Sequence, residues 1–481
     1  MAAINGAEYI KRINHLHSEV WIDGEKVNGL ISEHASFKGV VKSQAALYDL
    51  QYDKKLKEVM TFPSPSTGES VGTSFLLPRT KEDLRQRRLM IQEWAKTNGG
   101  MMGRSPDYMN TVLVSLVVSL SIFQENKNCF PDHVLAIYEK AREQDWSFTH
   151  TFKNPQVNRS SSQLFNSSED TVSAKIIERN KKGIVINGAK LLATQGGITD
   201  ELLVYSTGGM IDKSYSYSFT IPSNTKGVKF ICRQPFTQSE STFDSPLGAR
   251  FEENDALVVF DHVLVPWERV FYYDNISVSD ALATKGAYTR LALHQVVSRQ
   301  VVKVEFILGV AQLLVDTIKS GEYQHVQEKI ADIIIALETM RAFLTASEAG
   351  AYSHNGYMLP DGNPLQAAIT TFPSLYPRLT EILQLLGASG MVTIPAEKDF
   401  QSGIKTDLKQ YLPSAGNNAS DRVKLFRLAW DTSMSAFGSR QILYERYFFG
   451  DPVRLKSMLY HSYERKDLMQ RVENQFLKAD N

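Results

Sequence analysis

Apolar and polar positions follow two different rhythms along the chain. Over residues 1 to 150, apolar side chains recur mostly every three or four positions, the spacing of helices with one buried face. TKEDLRQRRLMIQEWAKTNGG carries charged helix formers and ends in a Gly pair suited to a C-cap. FPDHVLAIYEKAREQDWSF reads as another amphipathic helix. From about 151 to 275 the period shortens to two. TVSAKIIERNKKGIVINGAKLLAT holds two β-rich runs joined by Asn-Lys-Lys-Gly, a hairpin signal. ELLVYST, SYSYSFTIP, GVKFICRQ and ALVVFDHVLVP follow between Gly, Pro, Ser and Asn, which predicts short antiparallel strands in a barrel or sandwich.

From about 276 to 481 the helical spacing returns. HQVVSRQVVKVEFILGVAQLLVDTI predicts one long helix. HVQEKIADIIIALETMRAFL predicts a second, with Val326, Ile330, Ile333, Leu337, Met340 and Leu344 along one stripe. YPRLTEILQLLGASG and SDRVKLFRLAWDTSMSAFGSRQILYERYFF supply a third and a fourth, enough for a bundle. The fold class read from this is α+β in the order helical, β, helical.

Composition narrows the function classes. The 481 residues are 43% hydrophobic and 22% charged with zero net charge, so no basic field points to nucleic acid or an anionic membrane. The longest apolar run, TVLVSLVVSLSIF, is too short to span a bilayer and reads as a core helix. The first residues have no apolar leader, and a cytoplasmic protein is expected. Cys129 and Cys232 cannot build a disulfide framework or a Cys-rich metal site. The ten His are scattered, with no HExxH pair, and no metal is expected. No GxGxxG or Walker motif indicates a nucleotide loop.

Four stretches carry candidate chemistry. In GGMMGRSPDYMNTVLVSL, Ser105 looks like an N-cap and Pro106 the first helical residue. A helix start carries free N–H groups and partial positive charge; Arg104 adds a full charge and Tyr108 a hydroxyl, which suits an anionic oxygen. The same residues also fit an Arg capping another helix beside a core Tyr. THTFKNPQVNRS gathers His150, Lys153, Asn154, Gln156, Asn158 and Arg159 in an extended strip. Its amides offer donors and acceptors to a heteroaromatic ring such as a flavin, or it is a solvated linker. GAKLLATQGG places Thr194 before a Gly pair, and in FGSRQILYERYFFGDP Arg440 either binds a phosphate or pairs with an acid.

GMMGRSPDYMN, THTFKNPQVNR, DHVLVPWERVF, HQVV, VQEKIADII and YERYFFGDP, taken together and in this order, resemble the oxygenase component of the 4-hydroxyphenylacetate 3-hydroxylase family. The resemblance runs across nearly the whole chain. It implies an acyl-CoA dehydrogenase-like fold, a homotetramer, and reduced FAD delivered by a separate NADH-dependent flavin reductase. It implies hydroxylation of a phenol ortho to its hydroxyl. Arg104, Tyr108 and His150 are then catalytic and surround the phenolic oxygen, with Ser105, Thr207 and Gly208 also at the substrate. The flavin contacts carry over to His150, Thr151, Lys153, Gln156, Val157, Asn158, Arg159, Thr194, Ser439, Arg440 and Gln441, the last three reaching across a subunit interface. TQGGITDELL is one residue longer and richer in Gly than the family pattern, which leaves the far end of the substrate open.

Lowering a phenol from about 10 to about 7 needs roughly 4 kcal/mol of preference for the anion. A helix start gives about 1, and Arg104 with a His150 donor is expected to supply the rest. His150 is expected to set the acid limb of the pH–rate profile or to hold the phenolate as a donor. Purified protein is expected to carry little flavin and not to oxidise NADH. A 4-hydroxybutyryl-CoA dehydratase shares several motifs but needs three Cys and a His around an iron–sulfur cluster; the residue seven after His294 is Val301. An acyl-CoA dehydrogenase would need a carboxylate base and a CoA channel that no segment supplies. A non-enzymatic binding module would leave the crowding of Arg104, Tyr108 and His150 without purpose.

Overall fold

The structure, a computed structural model, describes residues 2–124, 126–155 and 172–478. The N-terminal region holds α1 (Gly6–Leu16), α2 (Lys38–Asp49), the single turn α3 (Lys57–Met60), α4 (Lys81–Thr97), α5 (Pro106–Val118) and α6 (Pro131–Gln144). Capping boxes at Asn5/Glu8 and Thr80/Asp83 start α1 and α4. Gly99 and Gly100, at φ of 61° and 71°, turn the chain back after α4, as the Gly pair implied. In α5 every residue but Leu116 is buried. Its apolar character all round is that of a helix with no water-facing side.

Strands form two packed sheets. They are β1 (Val20–Ile22), β2 (Glu25–Lys26), β5 (Phe148–Thr151), β6 (Lys175–Asn180), β7 (Gly183–Thr194), β8 (Glu201–Tyr205), β9 (Tyr217–Pro222), β10 (Val228–Cys232), β11 (Asp255–Pro266) and β12 (Val270–Tyr273); β3 (Thr61–Pro63) and β4 (Ser70–Gly72) pair separately. The 6-stranded sheet runs β2-β1-β10-β11-β7-β6 and the 4-stranded sheet β12-β9-β8-β5. The β6–β7 hairpin turns between Asn180 and Gly183. Two ladders depart from the antiparallel expectation: β1 runs parallel to β10 and β5 parallel to β8. Both β1 and β5 come from the first 151 residues and reach their partners by long crossovers, which a hairpin cannot provide. The sheets therefore draw in residues that periodicity alone assigns to the helical region.

The one-turn α7 (Gly248–Phe251) precedes β11, and α8 (Ile276–Lys285) leads into the C-terminal helices α9 (Tyr288–Ile318), α10 (Gln324–Ala349), α11 (Gly362–Gly387), α12 (Lys405–Tyr411), α13 (Ala419–Ser433), α14 (Ala436–Tyr447), α15 (Pro452–Ser462) and α16 (Lys466–Val472). The α9 helix is central: Leu291 to Val304 are buried without a break, against α4, α5, α10 and α11. The third expected helix extends back to Gly362 through Pro373 and Pro377. The fourth is broken in two. At the break, Ser435 accepts from Gly438 N at 3.0 Å and donates to Asp431 Oδ1 at 2.7 Å. Asp431 Oδ2 in turn accepts from Leu247 N and Gly248 N at 2.7 and 2.9 Å. Breaking the helix ties the bundle to the β region.

Candidate active site

Residues from five distant parts of the chain meet where α5, β5, β8, α9 and α14 converge. β5 carries its side chains alternately. Thr149 and Thr151 turn toward β7, donating to Thr194 O at 2.7 Å and Leu191 O at 2.8 Å. His150 and Phe152 turn the other way. Their rings are nearly parallel at 5.3 Å, and Tyr205 from β8 stands beside both, 5.9 Å from His150 and 5.1 Å from Phe152. The Tyr108 ring lies 5.9 Å from His150, and its hydroxyl is 2.8 Å from that of Tyr288.

Arg104 enters above this aromatic wall. Its guanidinium carbon sits 4.1 Å over the Tyr108 ring and 5.7 Å from each of Tyr444 and Phe448. Nη1 donates to the Tyr444 hydroxyl at 2.7 Å and to Gly103 O at 2.9 Å. Burial opposes the Arg104 charge, but Tyr444, Tyr108 and Glu253 outweigh it and hold the guanidinium charged. Arg104 Nε and His150 Nδ1 are buried with no hydrogen-bond partner among the described residues. Burial, and then Arg104, push His150 well below the ordinary histidine range. Both effects favour the neutral imidazole, which carries one donor and one acceptor nitrogen.

The helix start differs from its expected role. Ser105 precedes Pro106 but makes no capping bond through its side chain. Just ahead of the helix, Gly103 N and Arg104 N donate to Glu253 at 2.7 and 2.8 Å, so a carboxylate already stands beside the helix start. Arg104, Tyr108 and His150 are brought together, with the Tyr108 ring next to both of the others.

The other named residues divide. Thr194 Oγ1 and Arg440 Nη2 converge on Asp255 Oδ1, at 2.7 and 3.2 Å. Arg440 thus pairs with an acid, the simpler of its two readings. Gln441 is interior: it accepts from Lys303 Nζ at 2.7 Å and donates to Met101 O at 3.1 Å. Ser439 is exposed. Thr207 and Gly208 follow β8 and lie against α8, where Ser279 donates to Thr207 O at 3.3 Å. Lys153 pairs through its backbone with Leu191 on β7. Gln156, Val157, Asn158 and Arg159 lie outside the described residues. Sequence reasoning missed Tyr205, Tyr288 and Glu253 altogether. Tyr444 stands inside FGSRQILYERYFFGDP, a stretch singled out for Arg440.

A family model described as 4-hydroxyphenylacetate 3-hydroxylase N terminal matches residues 5–272, and one described as its C terminal matches residues 279–476. A protein of Bacillus subtilis (strain 168) named probable 4-hydroxyphenylacetate 3-monooxygenase is 54% identical over 482 residues, covering 100% of this chain and 99% of its own length. An oxygenase component of Thermus thermophilus with the same activity in its name is 43% identical over 99% of this chain and 98% of its own. A crystal structure of such an oxygenase component, complexed with FAD and 4-hydroxyphenylacetate, superposes with a TM-score of 0.93 at 41% identity, covering 100% of both chains. At the level of fold alone, an archaeal 4-hydroxybutyryl-CoA dehydratase reaches a TM-score of 0.89 at 19% identity over 98% of this chain and 95% of its own.

Proposed function

This chain belongs to the 4-hydroxyphenylacetate 3-hydroxylase family, and we propose on that premise that it is the oxygenase half of a two-component monooxygenase. With reduced FAD and oxygen it hydroxylates a phenol such as 4-hydroxyphenylacetate ortho to its hydroxyl, giving a catechol. A separate NAD(P)H-dependent flavin reductase supplies the reduced FAD.

The observation that carries this reading is the pair of buried nitrogens beside the Tyr108 ring with no partner among the described residues, Arg104 Nε and, in its N–H tautomer, His150 Nδ1. A buried N–H without a partner costs about 1–3 kcal/mol, and a phenolate oxygen between the two would satisfy both. Of the roughly 4 kcal/mol needed to ionise the phenol, Arg104 and His150 supply the larger part, because Glu253 stands beside the helix start and offsets its field. Arg104 supplies the charge. His150, held neutral, donates without competing for the proton. Tyr108 closes the pocket with its ring under the guanidinium, and Tyr205 and Phe152 keep water from its wall. A phenolate so held pushes electron density into the ring carbon beside its oxygen.

Cations at and near the strip support an anionic cofactor: burial and Arg454 push Lys153 down, and an anion there would relieve both. Lys190 is buried, donates to Asn154 Oδ1 at 3.0 Å, and is pushed down to about 7 by burial. Reduced FAD, when bound, supplies the activated oxygen atom. We assign its cradle to His150, Thr151, Lys153 and Thr194, extended by Gln156 to Arg159, with Ser439 and Arg440 at its edge. Gln441, bonded on both sides in the interior, acts through Lys303 and Met101. The wall at Thr207 and Gly208 meets the far end of the phenol.

We further assign residues 1–150, 151–275 and 276–481 to three domains, a cytoplasmic setting, and a homotetramer built through the last of them. No helix among the described residues is long and apolar enough to cross a membrane. Ile335, Leu443, Val453 and Phe476 are 63%, 61%, 77% and 74% exposed, apolar surface that a partner subunit would cover. The functional test is a product assay. Chemically reduced FAD, oxygen and 4-hydroxyphenylacetate should give the catechol. Hydrogen peroxide as the sole product with every phenol tried would overturn the reading.

A further inference from the structure

Glu253 is fully buried and belongs to neither the phenol pocket nor the strip. Each of its oxygens is used. Oε2 accepts from Gly103 N at 2.7 Å, and Oε1 accepts from Arg104 N and from Gln195 Nε2, both at 2.8 Å. The peptide between Gly103 and Arg104 is gripped from its other side as well. Gly103 O accepts from Arg104's own Nη1 at 2.9 Å, and Arg104 O accepts from Gln44 Nε2 at 3.2 Å. Gly103 has no room to move outward, because a Cβ there would overlap the Tyr444 hydroxyl.

We propose that Glu253 is a positioning residue for the hydroxylation: it fixes the Gly103–Arg104 peptide so that the guanidinium meets the phenolate. Two adjacent N–H groups need two adjacent acceptors, and a carboxylate is the side chain that offers them. A Gln can present one oxygen, and its NH₂ then faces a backbone N–H. The peptide would turn, and the guanidinium, which folds back onto Gly103 O, would turn with it. Arg440 stays in place without Glu253, since Asp255 holds it at 3.1 Å against 3.9 Å to Glu253. The effect should therefore fall on the phenol and spare the cofactor.

This inference rests on the reading that Arg104 meets the phenolate, and one experiment separates the two. Glu253→Gln, Glu253→Asp and Arg104→Ala are compared by difference absorbance of bound 4-nitrophenol, titrated with pH, together with KM for 4-hydroxyphenylacetate and anaerobic Kd for reduced FAD. Both Glu253 variants should raise the titration midpoint of bound nitrophenol by about one unit. They should lower turnover about ten- to a hundredfold while the Kd for reduced FAD stays within about threefold. Glu253→Asp keeps the charge but draws back by one methylene, so it should show the same signature as Gln. If Arg104→Ala leaves the midpoint unmoved, the reading of the phenol site fails. If Arg104→Ala moves it and the Glu253 variants do not, only the positioning role fails. Parallel loss of flavin and phenol affinity overturns it too, as does a protein that unfolds in both variants, for Glu253 would then hold the fold and not the side chain.

Discussion

Arg104 reaches the pocket with Nη1 committed to Tyr444 and Gly103 and Nε unpaired. Removing it should therefore act on the phenol. Arg104→Ala is expected to lower turnover about a hundredfold or more, the order of losing one preorganised charged donor, with reduced-FAD affinity nearly unchanged. Equal losses of both would reassign Arg104 to the cofactor. Arg104→Lys should be almost as damaging, because an ammonium cannot bond Tyr444 and Gly103 while keeping a second donor free. His150 leads to a pH prediction. Burial and Arg104 depress it, so the neutral form prevails well below 6.5. The pH–rate profile should show no break near 6.5, and His150→Asn should reduce the rate without moving the acid limb. A limb near 6.5 that vanishes in the variant would return the titrating proton to His150.

At the scale of elements, α9 and α14 are locked by ionic contacts between fully buried side chains. Glu445 accepts from Arg299 Nη1 and Lys303 Nζ, both at 2.7 Å, and Arg299 also donates to Gly100 O. Burial opposes the Glu445 charge, yet Arg299 and Lys303 hold it down to about 2, while burial brings Lys303 down to about 8. Glu445→Gln leaves two buried cations facing an amide and should cost about 3–5 kcal/mol of stability, read as a fall in Tm. An unchanged Tm would mean that water already reaches the network. None of this was legible in the sequence, where Glu445 is one more acid in a helix. The helices themselves were legible because their apolar spacing is local. The break at Ser435 was not, since its cap is reinforced by Asp431 reaching across to Leu247 and Gly248. Likewise β1 and β5 are too short to show a period, and their partners lie far along the chain. Arg104 and Tyr108 stood out at a helix start and His150 in a polar strip, and motif resemblance joined them, whereas Tyr205 and Tyr288 carry no local mark.

The whole molecule holds a pH-sensitive clasp far from the pocket. Asp145 Oδ2 accepts from Ile4 N at 3.1 Å and Gln51 Nε2 at 2.7 Å, and burial raises its carboxyl to about 6. A carboxyl raised above its unfolded value stabilises the fold while protonated, and that contribution is lost as pH rises from about 4 through about 6. Asp145→Asn should keep both bonds, tolerate the φ of 48°, and gain up to about 3 kcal/mol at pH 7 but little at pH 4. Thermal melts at the two pH values check it; a gain equal at both would trace to something other than the charge. Light scattering at micromolar concentration should report a tetramer, and NADH should stay unoxidised until a reductase is added. The hydrogen bond between Arg104 and Tyr444 spans 340 positions of sequence. On a ribosome adding about 5–20 residues per second, Arg104 waits roughly 20 to 70 s for that partner to be made. A chain cut short before Tyr444 never makes that bond, and its Arg104 is left without the hydroxyl that holds Nη1.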